Sequence, residues 1–316
     1  MIKGLAITPP ILGRISIGKI VEKNGKRLPE KDDQFTVTTQ VQGREGWIAH
    51  PYDEGLRKAQ SNNKIRAIPI RFLFNDPDLN LRAEYSLFDR TSGRPMCVGN
   101  GEQCRRFTAS GMMTLPCPSP EGCDLAKGGA CKPYGRLNML IGQDENDVGT
   151  FIFRTTGFNS IRTLAARLAY YKAVSGNLLA CMPLELRLRA KSTTQSHRTP
   201  IYYADITVRE GVTLEESITE ARKIDGRRKG AGFDQNTLDA AALAGFANGA
   251  FEDTDDDVSE IVEEFYPEPK GSLQGGGTEG SSGPESVTAK TTTPNAKPSL
   301  REKLDRKAAG YQEKSP

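Results

Sequence analysis

Five of the six cysteines fall in one stretch, and this spacing limits what the middle of the chain can fold into. They are Cys97, Cys104, Cys117, Cys123 and Cys131. Prolines and glycines surround them, so the stretch has few side chains from which to build an apolar core and needs another source of order. Thiolates bind zinc tetrahedrally, and a structural site closes with four ligands. The spacing therefore predicts a structural zinc (Zn2+) site.

The sequence alone does not identify the fourth zinc ligand. Cys117, Cys123 and Cys131 are separated by rigid Pro- and Gly-containing turns and are the expected first three. Either Cys97 or Cys104, on the two sides of a Gly-Asn-Gly turn, completes the set. Two other interpretations are free buried thiols and redox or iron–sulfur chemistry. The sixth cysteine, Cys181, lies far from the others and is expected in the core, where Cys is often buried.

Composition and hydropathy narrow the class of protein. The hydrophobic fraction is 36% and the mean hydropathy is −0.52, which predicts that part of the chain is disordered. No run approaches the ~18 apolar residues of a membrane span, and the N-terminus lacks a signal-peptide pattern. We therefore expect a cytoplasmic protein with no membrane partner, in which cysteines stay reduced and disulfides are rare.

Period-two alternation of apolar and polar residues predicts a protein rich in strands. A turn-rich loop is expected between the first two strands, and Thr213 and Glu216 form a capping box for a helix of about three turns. Residues 226–232 (GRRKGAG) are expected to break that helix. The main amphipathic helix is expected at 160–175. The strands are predicted at 14–21, 34–42, 65–74, 81–89, 135–142, 149–157, 184–191 and 200–210.

These elements predict an α+β fold, an antiparallel-rich sheet with few helices. Residues 1–96 and 135–230 form its two parts, and the cysteine-rich zinc insert, 97–134, interrupts them. An Ala-rich and then acidic amphipathic segment follows at 231–266. Its acidic part is either a docking helix for a basic partner or a solubilising tail. Residues 267–316 are predicted to be a disordered tail with a short helix at its end.

Basic residues cluster on predicted strands and loops. Such spacing suits phosphate contact, although a charge run is more often a solvated face. A third basic cluster follows at 222–229. The candidate nucleic-acid-binding residues are Arg105, Arg106 and Arg136 around the cysteines, and Arg187, Arg189, Lys191 and Arg198 on a hairpin.

A metal-dependent hydrolase or nuclease is the main enzymatic alternative. It needs an open metal position and a general base. The chain has two histidines, His50 and His197, which lie far apart, and it lacks the HExxH and G-x-S-x-G motifs. The remaining candidate for a catalytic site is a group of three carboxylates, Asp76, Asp78 and Asp89. The first two lie in an ordinary turn sequence. No catalytic residue is therefore assigned.

Several segments, taken in order, resemble the recombination directionality factor-like family of phages and mobile elements. They are IRAIPIRFLFNDPDLNLRAEYSLFD, GRPMCVGNGE, CPSPEGCDLAKGGACKPYGRL, FRTTGFNSIRTLAARL and PLELRLRAKSTTQSHRTPIYYADITVREG. The resemblance covers about residues 1–230, and relatives in mobile elements are often labelled only hydrolase or metal-binding protein. It implies action through binding a serine integrase, without catalysis, and it favours Cys97 as the fourth ligand.

The sequence thus predicts a non-catalytic, zinc-stapled accessory protein of DNA recombination. Its expected partners are DNA, a recombinase such as a serine integrase, or both. The alternatives are a metal-dependent hydrolase or nuclease, and an interaction scaffold that makes no DNA contact.

Overall fold

A computed structural model describes most of the chain before residue 247. Contacts divide the chain into two units, Met1–Glu268 and Pro269–Pro316, and all described residues lie in the first. The predictions for the acidic segment 252–266 and for the tail 267–316 lie outside the described residues. The described ranges are 10–23, 26–43, 46–60, 62–142, 149–192, 194 and 198–246.

Strands dominate the described residues, as the alternation predicts. The helices are α1 (Pro51–Lys58), α2 (Pro77–Asn80), α3 (Ser119–Gly122), α4 (Phe158–Val174), α5 (Leu214–Gly230) and α6 (Gln235–Gly245). Short 3-10 segments cover Asp124–Gly129 and Leu179–Cys181. The strands are β1 (Ile11–Lys23), β2 (Lys26–Gly43), β3 (Gly46–Ala49), β4 (Ala67–Arg71), β5 (Leu81–Phe88), β6 (Pro95–Gly99), β7 (Gln103–Thr108), β8 (Gly111–Pro116), β9 (Cys131–Ile141), β10 (Thr150–Thr155), β11 (Leu184–Lys191) and β12 (Ile201–Val208).

The strands form one mixed sheet, in the order β3-β2-β1-β10-β9-β5-β6-β7-β8. The pair β1–β10 is parallel, whereas the other pairs among the described strands are antiparallel. The sheet forks at β9, whose last residues pair with β4, and β4 leads through β11 to β12. This confirms the sheet-rich α+β prediction, with one parallel pair added.

The main core lies on one face of the sheet, between it and the branch through β11. On β10, Phe151 and Phe153 point into this core, and on β9 their cross-strand partners Met139 and Leu137 do the same. Alternate residues of a strand share a face, so the two strands present a continuous apolar surface. Leu184 and Leu186 of β11, a strand predicted at 184–191, are fully buried here as well.

Helix α4 closes the core with the predicted apolar stripe. Leu164 and Leu168 are fully buried, and Tyr171 is nearly so. Ala165, expected on the same stripe, is exposed. The helix ends where predicted, because Gly176 adopts a left-handed φ of 69° that favours glycine.

Two sequence predictions are wrong in their extents. The expected turn-rich loop after residue 21 belongs to a long hairpin, in which Lys23 lies opposite Lys26. Strand β2 therefore begins at Lys26, inside the stretch that was expected to be a loop. Helix α5 has the predicted capping box but continues through 226–230. An i,i+4 ion pair, Lys229 Nζ to Asp225 Oδ2 at 2.8 Å, supports its last turn.

The cysteine-rich stretch extends the main sheet. Within the predicted insert 97–134, β6, β7 and β8 add two consecutive hairpins to the edge of β5. Cys131 is the first residue of β9, a strand that enters the centre of the sheet. The strands therefore position these cysteines by register, which their spacing along the sequence does not indicate.

None of the described helices has both the length and the apolar character needed to cross a membrane.

Candidate metal centre and basic surfaces

Strand register brings the cysteines to one side of the sheet. Leu87 on β5 lies opposite Cys97 on β6 and opposite Cys131 on β9, so these three side chains form a row across three strands. Gly99 lies opposite Cys104 on β7, two residues farther along β6. Directly paired residues and i,i+2 neighbours share a face, so Cys97, Cys104 and Cys131 point the same way.

The other two cysteines approach this face from loops. The backbone N–H of Cys117 donates to the Glu102 carbonyl at 2.8 Å, which holds the end of β8 over the β6–β7 turn. A Cβ added at Gly99 would lie 2.9 Å from the Cys117 sulfur and 2.7 Å from Cys104 Cβ, so glycine permits this close approach. Cys123 precedes a 3-10 turn and interacts electrostatically with Cys131. We call the five residues 97, 104, 117, 123 and 131 the thiol cluster.

Burial keeps two of these thiols protonated in the absence of a metal. It raises the pKa of the Cys131 thiol to about 12, with smaller contributions from electrostatic interactions with Cys97 and the other cluster thiols. Burial and a hydrogen bond with Cys97 raise the pKa of Cys104 to about 11. The Cys104 sulfur also donates to the Pro116 carbonyl at 3.7 Å. This last bond gives Cys104 a structural role of its own.

Arg106 supplies positive charge to the thiol cluster. It lies opposite Cys97 on β7, and a hydrogen bond with Cys97 raises its pKa. Its Nη2 donates to the Cys104 sulfur at 3.9 Å. Arg105, its neighbour in sequence, points to the opposite face of the sheet. The structure therefore separates these two residues, which the sequence placed in one basic group.

The cluster fits a metal in ligand chemistry but is not arranged as a closed site. Thiolates are zinc ligands, and five thiols within electrostatic reach of one another include a full set of four. Among the described residues, however, no group of three or more His, Cys, Asp or Glu side chains is arranged to hold an ion. The strand register that gathers the thiols on one face does not depend on their rotamers. Zinc binding stays a prediction.

The hairpin of β7 and β8 carries exposed apolar side chains beside the thiol cluster. Phe107 is 62% exposed and lies opposite Met112, which is also exposed. Met113, on the other face, is exposed too. Strand β8 is the last strand of the described sheet. Exposed Phe and Met side chains at a sheet edge are typical of a protein-binding surface. None of the three is among the candidate residues predicted from the sequence.

The hairpin of β11 and β12 holds its basic residues in ion pairs. Arg187 pairs with Glu185 at 2.5 Å and with Glu210 at 3.0 Å. Arg189 Nε lies 3.2 Å from Asp205, a buried carboxylate that also pairs with Arg167. These arginines therefore neutralise buried carboxylates on their own face.

Two further residues of the candidate set lie toward the end of this hairpin. Lys191 donates to the Asn159 side-chain carbonyl at 2.9 Å, whereas Arg198 is exposed and has a left-handed φ of 62°. Contact between the hairpin and DNA stays a prediction.

A second group of arginines lies on the sheet face opposite the main core. Arg82 on β5 and Arg154 on β10 both lie directly opposite Arg136 on β9, so the three form one row. Arg14 on β1 lies on the same face, two strands from Arg136. We call Arg14, Arg82, Arg136 and Arg154 the arginine face. Sequence reasoning selected Arg136 alone, because the row becomes visible only once strands distant in sequence are paired.

The arginine face is largely shielded from water. Arg14 and Arg136 are 6% and 8% exposed, and the Arg82 side chain is 12% exposed. Aromatic rings account for part of this burial, since Arg14 lies 3.9 Å from the centre of the Trp47 ring and Arg82 lies 4.0 Å from that of Phe246. None of the four arginines is without a partner.

The remaining polar candidates have local structural roles. Asp76 caps α2 by accepting from Asp78 N–H, and Asp89 accepts from the N–H groups of Thr91 and Ser92 in a turn. His50 caps α1 through Nδ1. Burial lowers its pKa. Cys181 is a buried core thiol, as expected, and Arg228 Nη1 donates to its sulfur at 3.7 Å.

The structure defines a sheet-rich α+β protein in which strands β6, β7 and β9 and the loops between them bring five cysteines together, beside a hairpin with exposed apolar side chains. The chain belongs to the recombination directionality factor-like family: the family described as Gp3-like, recombination directionality factor-like, matches residues 12–209. The family suggests a role in phage recombination. Comparisons with curated proteins and with solved structures gave no significant match.

Proposed function

We propose that this chain is a non-catalytic accessory protein of DNA recombination that binds a recombinase through the β7–β8 hairpin. The observation that carries the proposal is the exposed pair of Phe107 and Met112 at the sheet edge. Aromatic side chains and methionine are enriched at protein interfaces. The family, described as recombination directionality factor-like, supports a role in recombination, and the resemblance described above implies a serine integrase as the partner.

The thiol cluster would order this hairpin by holding one zinc ion. The proposed ligands are Cys97, Cys117, Cys123 and Cys131, with Cys104 as the alternative to Cys97. The hydrogen bond from Cys104 to the Pro116 carbonyl supports a structural role for Cys104 beside the metal. A bound zinc supplies fixed geometry and no reactivity here, because a four-thiolate site has no open position. Arg106 would offset part of the thiolate charge.

A matched pair of variants tests the docking surface. Phe107→Ser with Met112→Ser removes the exposed tip, and Phe158→Ser removes a similarly exposed phenylalanine at the start of α4. The probe is the purified serine integrase of the same element. Loss of an interface anchor typically weakens binding by about tenfold or more. We expect this loss for the hairpin variant alone. Equal affinity of the hairpin variant and the parent would refute the surface.

DNA contact is the second part of the proposal and is assigned to the tip of the β11–β12 hairpin. Arg187 and Arg189 neutralise buried carboxylates, so replacing them disturbs folding as well as charge. Arg198 is exposed and gives the cleaner test. We expect Arg198→Ala to weaken duplex DNA binding and to reduce its salt slope by about one unit. A parent chain that binds no DNA at low salt would support the scaffold alternative.

A further inference from the structure

Helix α5 presents an exposed basic face that lies beyond the region shared with the family, since the family match ends at residue 209. The inner face of the helix packs Ala221 and Ile224 into the main core. Arg228 also points inward, where its guanidinium donates to the Cys181 sulfur. The outer face of the second half of the helix carries four exposed cations, and we call these residues the α5 face: Arg222, Lys223, Arg227 and Lys229.

Gly226 lies at the centre of the α5 face. Residues three and four positions apart are neighbours on a helix surface. Gly226 is therefore bordered by four exposed residues, which are Arg222, Lys223, Lys229 and Gly230. The side chains of Lys223 and Lys229 are 68% and 69% exposed. Three flexible cations thus surround a point at which the helix has no side chain.

The carboxylates on the same helix leave the α5 face basic. Lys223 Nζ lies 3.8 Å from Glu220, and Lys229 Nζ lies 2.8 Å from Asp225. Arg227 also has an interaction partner. Ion pairs between exposed side chains contribute little to stability and are weakened by salt, so a phosphate can replace the carboxylate in such a pair. Two carboxylates against four cations leave a net positive surface.

Neither packing nor helix termination explains the glycines at 226 and 230. A Cβ added at either position would have no atom within 4 Å, and alanine is the better helix former. The helix ends through Gly232, which has a left-handed φ of 84°, and through Phe233, whose N–H donates to the Arg228 carbonyl at 2.9 Å. Glycine at 226 and 230 does allow another molecule to approach the helix backbone closely.

The helix dipole explains only some of the cations. Basic side chains favour a helix C-terminus, but the effect is confined to the last turn, where Arg227 and Lys229 lie. Arg222 and Lys223 lie about two turns before the end of the helix. Their position beside Gly226 therefore needs another explanation.

We propose that the α5 face binds the phosphate backbone of a nucleic acid. The strand would lie over the two glycines, with Arg222 and Lys229 on one side and Lys223 and Arg227 on the other. Cations that contact phosphates position a nucleic acid without reading its sequence.

This surface is separate from the one assigned to DNA under the proposed function. Arg228 of α5 contacts Cys181, which lies just before β11 begins, whereas Arg198 lies beyond the other end of β11. The inference depends on neither Arg198 nor the recombinase surface.

A titration of the full chain with a short DNA duplex of random sequence, over a range of NaCl concentrations, tests the cations. The variant is Arg222→Gln with Lys223→Gln. The matched control, Lys58→Gln with Lys127→Gln, removes the same charge from exposed lysines elsewhere. We expect the variant alone to bind about tenfold more weakly at about 0.05 M NaCl, with a salt slope lower by about two units. Binding equal to that of the parent, or an equal loss in the control, would overturn the proposal.

A second pair of variants tests the approach to the helix backbone. Gly226→Leu fills the centre of the α5 face, and Gly55→Leu adds the same side chain to an open, exposed position of α1. Leucine favours a helix, so neither variant should melt below the parent. We expect only Gly226→Leu to weaken DNA binding. Parental affinity in this variant would show that no strand passes over Gly226, which would overturn the proposal.

Lysine acetylation of the unmodified chain, read by peptide mass spectrometry, gives a test that needs no variant. We expect the duplex to slow acetylation of Lys223 and Lys229 and to leave the exposed Lys58 unchanged. Absence of protection would overturn the proposal. Equal protection by poly-glutamate would assign the face to an acidic protein and overturn it too. Loss of DNA binding in Arg198→Ala, with the α5 variants unchanged, would support the hairpin contact alone and overturn the one at α5.

Discussion

The main core and the thiol cluster are two parts of one sheet that differ in how much apolar surface they bury. The core contains fully buried large side chains such as Phe35, Phe151 and Leu164, contributed by strands and helices from most of the described chain. Where the β6–β8 extension joins β5, the buried cluster consists of Leu87, Cys97 and Cys104, with the partly buried Leu115, Cys117, Ala130 and Cys131 packed around it. Apolar burial is therefore extensive in the first region and small in the second.

The largest expected effect on unfolding comes from the core. Leu164→Ala leaves a cavity beneath α4, where the side chain is fully buried, and should lower the free energy of unfolding by about 2–5 kcal/mol. Denaturant unfolding measures this loss. The reactivity of the native thiol cluster toward a thiol reagent should not change, because the cavity lies in the other region. A rise in cluster reactivity comparable to the loss of stability would show that the two regions unfold as one.

Removing a metal ligand should affect the other region. We expect the parent to bind about one zinc per chain, as a structural four-cysteine site requires. Cys131→Ser should lose this zinc, and the remaining thiols of the extension should react more readily with a thiol reagent. Cys181→Ala is the matched control, because this thiol belongs to the main core. Metal analysis with thiol titration measures both. A parent chain without zinc, or a Cys131→Ser variant that keeps it, would contradict the site.

The pH dependence of zinc binding has a definite sign. Zinc binds the thiolate, and burial raises the pKa of Cys131 to about 12, so the metal must displace a proton from this thiol at neutral pH. Affinity should therefore fall as the pH is lowered from 8 to 6. Competition with a chelator at each pH measures the zinc affinity. An affinity independent of pH would mean that Cys131 is not a ligand.

A pair of glycine variants compares the extension with the rest of the chain through smaller changes in the free energy of unfolding. An added Cβ at Gly99 would meet Cys104 Cβ at 2.7 Å and the Gln103 carbonyl at 2.9 Å, so Gly99→Ala should strain the extension by about 1–3 kcal/mol. At Gly55, in α1, no atom lies within 4 Å of the added Cβ. Gly55→Ala should stabilise the chain by about 0.5–1 kcal/mol. Hydrogen exchange of the backbone amides near each glycine distinguishes the two effects. Equal changes in exchange for the two variants would show that Gly99 is not crowded.

The smallest effect is expected at a surface ion pair. Hydrogen bonding from Lys64, with help from Arg66, lowers the pKa of Asp33 to about 2. A lowered carboxyl pKa contributes stability above the unfolded value near 3.8, and this stability is lost as the pH falls through about 2. Both basic partners are exposed, so Asp33→Asn should cost less than about 1 kcal/mol at pH 7. A larger loss of stability in thermal unfolding would mean that ion pairs also stabilise the main region.

Local pattern was enough to predict much of the main region. The strands β5 and β11, the stripe of α4 and the Thr213 capping box follow from residues near one another in sequence. The extent of α5 was missed, because glycine at 226 and 230 suggested a break, whereas the helix continues through both positions to Gly230.

The candidate sites were harder to predict, because they depend on pairings between strands. Cys97 and Cys131 become neighbours only through Leu87, which lies between them on β5. The arginine face likewise needs the β9–β10 and β5–β9 registers together. Arg187 and Arg189 were judged by charge alone, whereas their buried carboxylate partners Glu185 and Asp205 lie on the same two strands.

The parallel pairing of β1 with β10 has a consequence for synthesis on the ribosome. Ile11 lies beside Thr150, so the β1–β2 hairpin is complete long before its other neighbour has been made. Until β10 emerges, β1 presents an unpaired edge, and such edges recruit other chains. Contacts this distant in sequence also slow folding. The nascent chain therefore passes through a long window in which a chaperone or a second nascent chain can occupy that edge.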